Sequence, residues 1–241
     1  QAIMTGSGDI MVVGGVEMMS HYQMGSCAKV AMDAKYPVRM SKKMMKSGMF
    51  VPMGVSAEMV AEKYKFTREQ LDRFGLWSQQ KAVKADREGK FADHIIPFEY
   101  EFEGKTIRVE KDETIRAESL DNPASAWEKI CKLPTPFKQG GVVSAASSSQ
   151  IVDGAAAALL MSADKAEKLG LEPIARIVSM AVAGDDPTIM LLGPIPAMKK
   201  ALARAGKKIE DMEILEPNEA FASPVLAFAK EFGYPFDDPR M

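Results

Sequence analysis

The stretch LEPNEAFAS, Leu215–Ser223, sets an amide and a carboxylate side by side after an apolar run. Asn218 has the chemistry to donate to an oxygen or fix a water beside the free N–H groups of a helix start, which suits a reaction that builds negative charge on oxygen. It can equally cap that helix, with Glu219 stabilising the first turn. These residues alone leave both readings open, because strand-to-helix junctions are also where α/β proteins place ligands. A second junction is SAASSSQIVDGAAAA, Ser144–Ala158. Its small hydroxyl residues, followed by Asp153 and Gly154, would let a narrow ligand approach the backbone.

A nucleophile and a base are harder to find. Cys27 and Cys131 lie in irregular segments rather than at a strand-to-helix elbow. A reactive thiol needs a partner that lowers its pKa or removes its proton. Neither His21 nor His94 stands at a spacing from a cysteine that local geometry would make meaningful. His21, following an apolar run and Ser20, is the better functional candidate, and His94 reads as a surface or packing histidine. A P-loop lysine motif, G-x-G-x-x-G after a strand, H-E-x-x-H and Cys-x-x-Cys are all missing from the sequence.

The elements that must position these groups read as α/β. Gln1–Thr5 resembles the end of a helix stopped by Gly6 and Gly8. IMVVGG, Ile10–Gly15, predicts a strand covered on both faces, because its apolarity is continuous. His21–Met53 reads as loops and short helices. MGVSAEMVAEKYKF predicts a helix with Ser56 as N-cap. Thr67 starts another, ending near Gly89, with Leu71, Phe74, Trp77, Ser78 and Lys81 along one side. Asp93–Val109 is extended, with a hairpin at Gly104. KLPTPFKQGG, Lys132–Gly141, marks a return to the core. Gln150–Gly170 predicts a helix whose alanine run packs closely against a neighbour. A strand over Ala175–Gly184, a helix over Gly193–Gly206, a strand over Met212–Pro217 and a helix opening at Asn218 follow. Such alternation predicts parallel pairing, with the core interrupted between about Ser20 and Gly141 by a mostly helical subdomain.

Composition sets the outer bounds. The 241 residues carry a net charge of −2, which offers no basic footprint for nucleic acid. Two cysteines make no disulfide framework, so a reducing, cytoplasmic setting is expected. No apolar run approaches the length of a membrane span. Eighteen methionines, many between residues 18 and 59, are mostly gap-fillers, although Met-rich surfaces also suit flexible apolar ligands. The chain opens QAIMTGSGD without an initiator methionine and closes FGYPFDDPRM on turn residues. Both ends read as cuts through a larger protein.

Several stretches in one order resemble the thiolase family, the acyltransferases that cleave 3-ketoacyl-CoA or condense acetyl-CoA. They are VVGGVEMMS (Val12–Ser20), MGVSAEMVAEKY (Met53–Tyr64), GKFADHIIPF (Gly89–Phe98), IVDGAAAALLMSADKAEKLGL (Ile151–Leu171), GDDPTIMLLGPIPAMKKAL (Gly184–Leu202) and NEAFAS (Asn218–Ser223). The resemblance implies a layered α/β/α/β/α fold, incomplete here, with a mostly helical loop domain in its first half. Residues 1–19 and 145–170 would belong to the N-terminal half, 20–144 to the loop domain and 171–241 to the start of the C-terminal half.

The resemblance also implies roles. Asn218 matches the asparagine that holds a water in the oxyanion hole, and Phe221 would line the same pocket. Ser149 matches a serine that contacts the pantetheine arm of coenzyme A. Met53 and Met190 match methionines along the acyl and pantetheine tunnel, and Arg116, in KDETIR, matches a loop-domain arginine near the nucleotide end. Coenzyme A would be a substrate, no cofactor would be held permanently, no metal is implied, and the full-length protein would form a homodimer or homotetramer in lipid metabolism.

Departures accompany the match. The family's T-A-G-N is here SAAS, Ser144–Ser147, so a loop glycine has become Ala146. Pro217 and Pro224 flank the NEAF motif, Pro224 early enough in a helix to fit. The family's nucleophilic cysteine, its G-H-P histidine and its second, acid/base cysteine have no counterpart at Cys27, Cys131, His21 or His94. The expectation is an acyltransferase when full length, with these 241 residues inactive alone. The alternative is a non-catalytic acyl-CoA-binding protein of the same fold. A decarboxylating condensing enzyme fits less well, because those enzymes place a histidine near the NEAFAS position.

Overall fold

The computed structural model describes residues 1–26, 41–43 and 51–241. Cys27 and most of the basic stretch between Lys29 and Lys46 lie outside the described residues. The fold is mixed α/β with an inserted helical segment, and it divides into two compact units. One comprises the described residues of 1–47 with 150–180, and the other those of 48–149 with 181–241.

In the first unit, strands β1 (Ile10–Met18) and β4 (Asp153–Met161) form an antiparallel ribbon in which Ile10 pairs with Met161 and Met18 with Asp153. This corrects two expectations. The alanine run is a strand rather than a helix, and the pairing is antiparallel rather than parallel. Alanine favours helices by only a few tenths of a kcal/mol per residue, roughly, over most residue types, while β1 offers a complete ladder of backbone partners. Gly14 and Gly15 pair with Ala157 and Ala156, so small residues face small residues. Asp153 fixes one end by accepting the Ser20 backbone N–H at 2.8 Å, and the Ser162 N–H closes the other on the Asp9 carbonyl at 3.1 Å. The hydrogen bonds from Ser20 hold the Asp153 carboxyl below its ordinary pKa. Ser162 then caps a short helix, α5 (Ala163–Leu169), accepting from the Lys165 N–H. Both faces of the ribbon are largely exposed, with Val12 at 77% and Val16 at 71%, so β1 is not covered as its apolarity predicts.

The second unit is built on helices α1 (Met53–Tyr64), α2 (Arg68–Arg87) and α7 (Ala222–Glu231). Ala57, Val60, Ala61 and Leu71 are 0% exposed; Phe221, Ala222, Val225 and Leu226 close over Ala57, Ala61 and Leu71, while Val60 packs with Leu192, Ala227 and Phe228. Thr67 begins α2 as its sequence predicts: it accepts from the Gln70 N–H while the Gln70 side chain accepts from the Thr67 N–H, a reciprocal cap. Ser56 does not cap α1. It lies buried inside that helix, which starts at Met53. Strands β2 (Phe98–Phe102) and β3 (Lys105–Val109) form the expected hairpin, turning at Glu103 and Gly104, both with positive φ. Short helices α3 (Glu118–Asp121) and α4 (Pro123–Cys131) follow.

Helix α6 (Pro194–Ala205) starts on Pro194 and ends at left-handed Gly206, as expected. The two later strands are absent. Neither 175–184 nor Met212–Pro217 joins a ladder among the described residues, although the Leu215 N–H reaches the Arg240 carbonyl at 2.7 Å. A β-prone run becomes a strand only where a neighbour supplies the matching hydrogen bonds. No helix among the described residues is long and apolar enough to cross a membrane.

Candidate functional site

Helix α7 begins at Ala222, with Phe221 in the N-cap position and no side-chain cap. Asn218 therefore precedes the helix by too much to cap it, which removes the simpler of its two explanations. Pro224 sits in the first turn of α7, where its missing N–H costs no intrahelical bond. Asn218 is exposed. Beside it, Glu219 accepts the Ser78 hydroxyl of α2 at 2.6 Å. One turn further along α2, burial pushes the Lys81 ammonium below its ordinary pKa, and the Glu219 charge opposes that shift.

The second junction meets the first directly. The Ser149 N–H donates to the Ala220 carbonyl at 2.9 Å, and Ser148 bridges to Phe221. Two segments more than sixty positions apart thus place Ser149 and Asn218 on one short stretch of surface. Upstream of Ser149, the turn Ala145–Ser147 is held from within by Ser144, whose hydroxyl accepts the Ala146 N–H at 3.1 Å. That same hydroxyl donates to Asp72 at 2.5 Å. Asp72 is 1% exposed and also pairs with Arg68, which anchors the Ile130 and Leu133 carbonyls.

The remaining candidates are distributed around this junction. Phe221 is buried, edge-on to Phe137 at 5.8 Å between ring centres. Phe137 lies against Gly54 so closely that a Cβ there would sit 2.1 Å from its ring, and Met53 precedes Gly54 as the first residue of α1. Met190 opens the turn Met190–Leu192, which packs on α1 and α7. Met53 and Met190 are 49% and 41% exposed. Arg116 is exposed, and its N–H donates to the Gln79 side chain of α2 at 2.9 Å.

Sequence reasoning missed the residues that hold these loops. Glu58, 3% exposed in the middle of α1, accepts the N–H groups of Val142 and Val143 at 2.9–3.0 Å and so clamps the segment leading to Ser144. The available signal was a carboxylate among Gly54, Ser56, Ala57 and Val60, all of them buried. His21, His94 and Cys131 are exposed, and no bond joins Cys131 to either histidine among the described residues. No cluster of three or more His, Cys, Asp or Glu suited to a metal ion occurs among the described residues. A recess of about 470 Å³ between α2 and α4, lined by Arg73, Gln80, Trp127 and Phe236 among others, includes none of the candidate ligand residues.

Asn218, free of a capping role, thus lies on the segment that the Ser149 loop meets. Residues 1–164 match the thiolase N-terminal domain and residues 171–238 the thiolase C-terminal domain, and the chain belongs to the thiolase family. It is 46% identical over 235 residues to a 3-ketoacyl-CoA thiolase of Marinobacter nauticus, covering 96% of this chain and 56% of that protein. An acetyl-CoA acetyltransferase of Rhizobium meliloti is 42% identical over 240 residues, covering 97% of this chain and 59% of that protein. Among solved structures, an acetyl-CoA acetyltransferase from Syntrophomonas wolfei superposes with a TM-score of 0.79 at 37% identity, covering 99% of this chain and 61% of its own. The chain thus spans a little over half the length of the curated relatives it matches.

Proposed function

We propose that this chain carries the oxyanion and coenzyme-A-binding side of an acyl-CoA acyltransferase that cleaves 3-ketoacyl-CoA or condenses acetyl-CoA. The observation that carries this reading is the Ser149 N–H bond to the Ala220 carbonyl, which sets the serine loop beside Asn218. Asn218 would polarise the thioester oxygen through a fixed water, Phe221 would wall the pocket, Ser149 would contact the pantetheine arm, and Met53 and Met190 would flank the acyl and pantetheine path. Arg116 would face the nucleotide end. In this reading 20–144 is the loop domain inserted into the first half, coenzyme A is a substrate rather than a resident cofactor, and the working protein is a cytoplasmic homo-oligomer.

Catalysis by the family's route needs a cysteine nucleophile with a histidine base, because the acyl-enzyme forms only when an activated thiolate attacks the carbonyl carbon and displaces the coenzyme A thiolate or the acetyl-CoA enolate it carries. Cys131 is exposed and has no histidine partner among the described residues. The 241 residues alone are therefore expected to bind but not turn over. The exposure of Asn218 sets the size of its effect. An oxyanion donor in a water-excluded site is worth roughly 3–4 kcal/mol, whereas one in competition with solvent is worth about 0.5–1.5 kcal/mol. Calorimetric titration with acetyl-CoA tests the reading. Saturable binding is expected, weakened about two- to tenfold by Asn218→Ala, with no thiolysis of acetoacetyl-CoA above the uncatalysed rate. Absence of binding, or turnover by the chain itself, overturns it.

A further inference from the structure

One helix passes beneath all three loops that carry the polar candidates. Asp72 accepts the Ser144 hydroxyl at the root of the Ser149 loop. Three residues on, Gly75 leaves room for the Ala146 carbonyl, which would lie 2.0 Å from a Cβ built there. Three further on, Ser78 donates to Glu219, the neighbour of Asn218. The next residue, Gln79, accepts the Arg116 N–H at 2.9 Å and donates to the Thr114 carbonyl at 3.4 Å. Positions 72, 75 and 78 share one face of a helix, and all belong to a single element whose start is fixed by the Thr67 cap.

Glycine is a poor choice in a helix interior, since it maximises the backbone entropy lost on folding. Its presence in α2 is explained by the approach of the loop. The turn that presents Ser149 has alanine at 146, where the resemblance leads one to expect glycine. The space for its backbone, the Ala146 carbonyl first, is supplied from the helix side at Gly75.

We propose that α2 is the positioning element of the site: Asp72, Gly75, Ser78 and Gln79 set the relative placement of the loops presenting Ser149, Asn218 and Arg116 to an acyl-CoA ligand. None of the four is a catalytic residue; each acts through the loop it holds. The inference rests on the acyl-CoA reading for its ligand, but its geometry can be tested without one.

The test uses the 241-residue chain with three variants and two readouts. Hydrogen exchange at the Ser149 amide reports the Ala220 contact. Gly75→Ala, by displacing Ala146, should speed that exchange at least tenfold while the Leu71 and Phe74 amides in α2 keep their protection. Ser78→Ala should leave the Ser149 amide slow, because the Ala146 and Ala220 contacts remain, and Ser78→Thr should behave as the wild type, because the hydroxyl returns. In titrations with coenzyme A and acetyl-CoA, Gly75→Ala should weaken both ligands alike. Ser78→Ala should reduce only the advantage of the acetylated form, since Asn218 addresses the thioester oxygen. Failure of the wild-type chain to bind either ligand removes the acyl-CoA reading and leaves the exchange pattern to decide the geometry. Unchanged exchange of the Ser149 amide in Gly75→Ala, or uniform loss of protection through α2, overturns the positioning role.

Discussion

The ribbon β1–β4 is almost continuously apolar and the bundle of α1, α2 and α7 only in part, yet it is the bundle that buries its apolar residues. In the bundle, Ala57, Val60, Ala61 and Leu71 are sealed from solvent and Glu58 and Asp72 are buried with their partners. In the ribbon, Val12, Val16 and Leu159 remain more than half exposed. A two-stranded antiparallel sheet is marginal in water unless something packs on its face, whereas an interlocked helical core holds itself. The candidate site follows the same division. Asn218, Ser149, Met53, Met190, Phe221 and Arg116 all belong to the unit that contains the bundle.

That contrast can be broken most forcefully at Leu71. Leu71→Ala should cost about 2–5 kcal/mol, the range for emptying a packed core site. Urea unfolding followed by tryptophan fluorescence measures it in the right unit, since both Trp77 and Trp127 reside there. The matching change in the ribbon, Val16→Ala, should cost less than roughly 0.5 kcal/mol. A ribbon variant as costly as the core variant would mean that the exposed faces are covered in solution. Between these extremes lies the cap of α2: Thr67→Ala should lower stability by about 1 kcal/mol through loss of the reciprocal bonds with Gln70.

The smallest effect concerns pH. Tyr64 joins α1 to α7 by donating to Glu231 at 2.8 Å. Burial first, then the Glu231 hydrogen bond and charge, push the phenol up to about 12 from 10.0. The folded state thus holds this proton more tightly than the unfolded chain. The stability it contributes is complete below pH 10 and is lost as pH rises through about 12. Comparing urea midpoints of the wild type and Tyr64→Phe from pH 9 to 12 isolates the component. The gap between the two should change across that window, and a constant gap would remove the tyrosine from the linkage.

Much of the bundle is legible from the chain. The Thr67 cap, the hairpin at Gly104 and the Pro194–Gly206 limits of α6 each depend on local chemistry, and each forms where its residues call for it. The alanine run does not, because its partner β1 lies more than a hundred residues away and the ladder it provides outweighs a weak local preference. The strands expected over 175–184 and 212–217 fail for the complementary reason: among the described residues no neighbouring strand offers either of them a ladder. At the site, the NEAF and Ser-rich stretches are recognisable by type, but the residues that fix their spacing are not. Asp72, Gly75 and Glu58 look like ordinary helix residues until the loops they hold are in place.

The central claim, an acyl-CoA site at the junction of the Ser149 and Asn218 loops, is tested most directly by methyl NMR of the chain carrying ¹³C-labelled methionine. Met53 and Met190, about half exposed in the same unit as that junction, should shift together and saturably on titration with acetyl-CoA. Met4, exposed in the other unit, should stay in place. Resonances of Met53 and Met190 that stay fixed while the ligand binds, or while indole signals of Trp127 in the α2–α4 recess move instead, would contradict it.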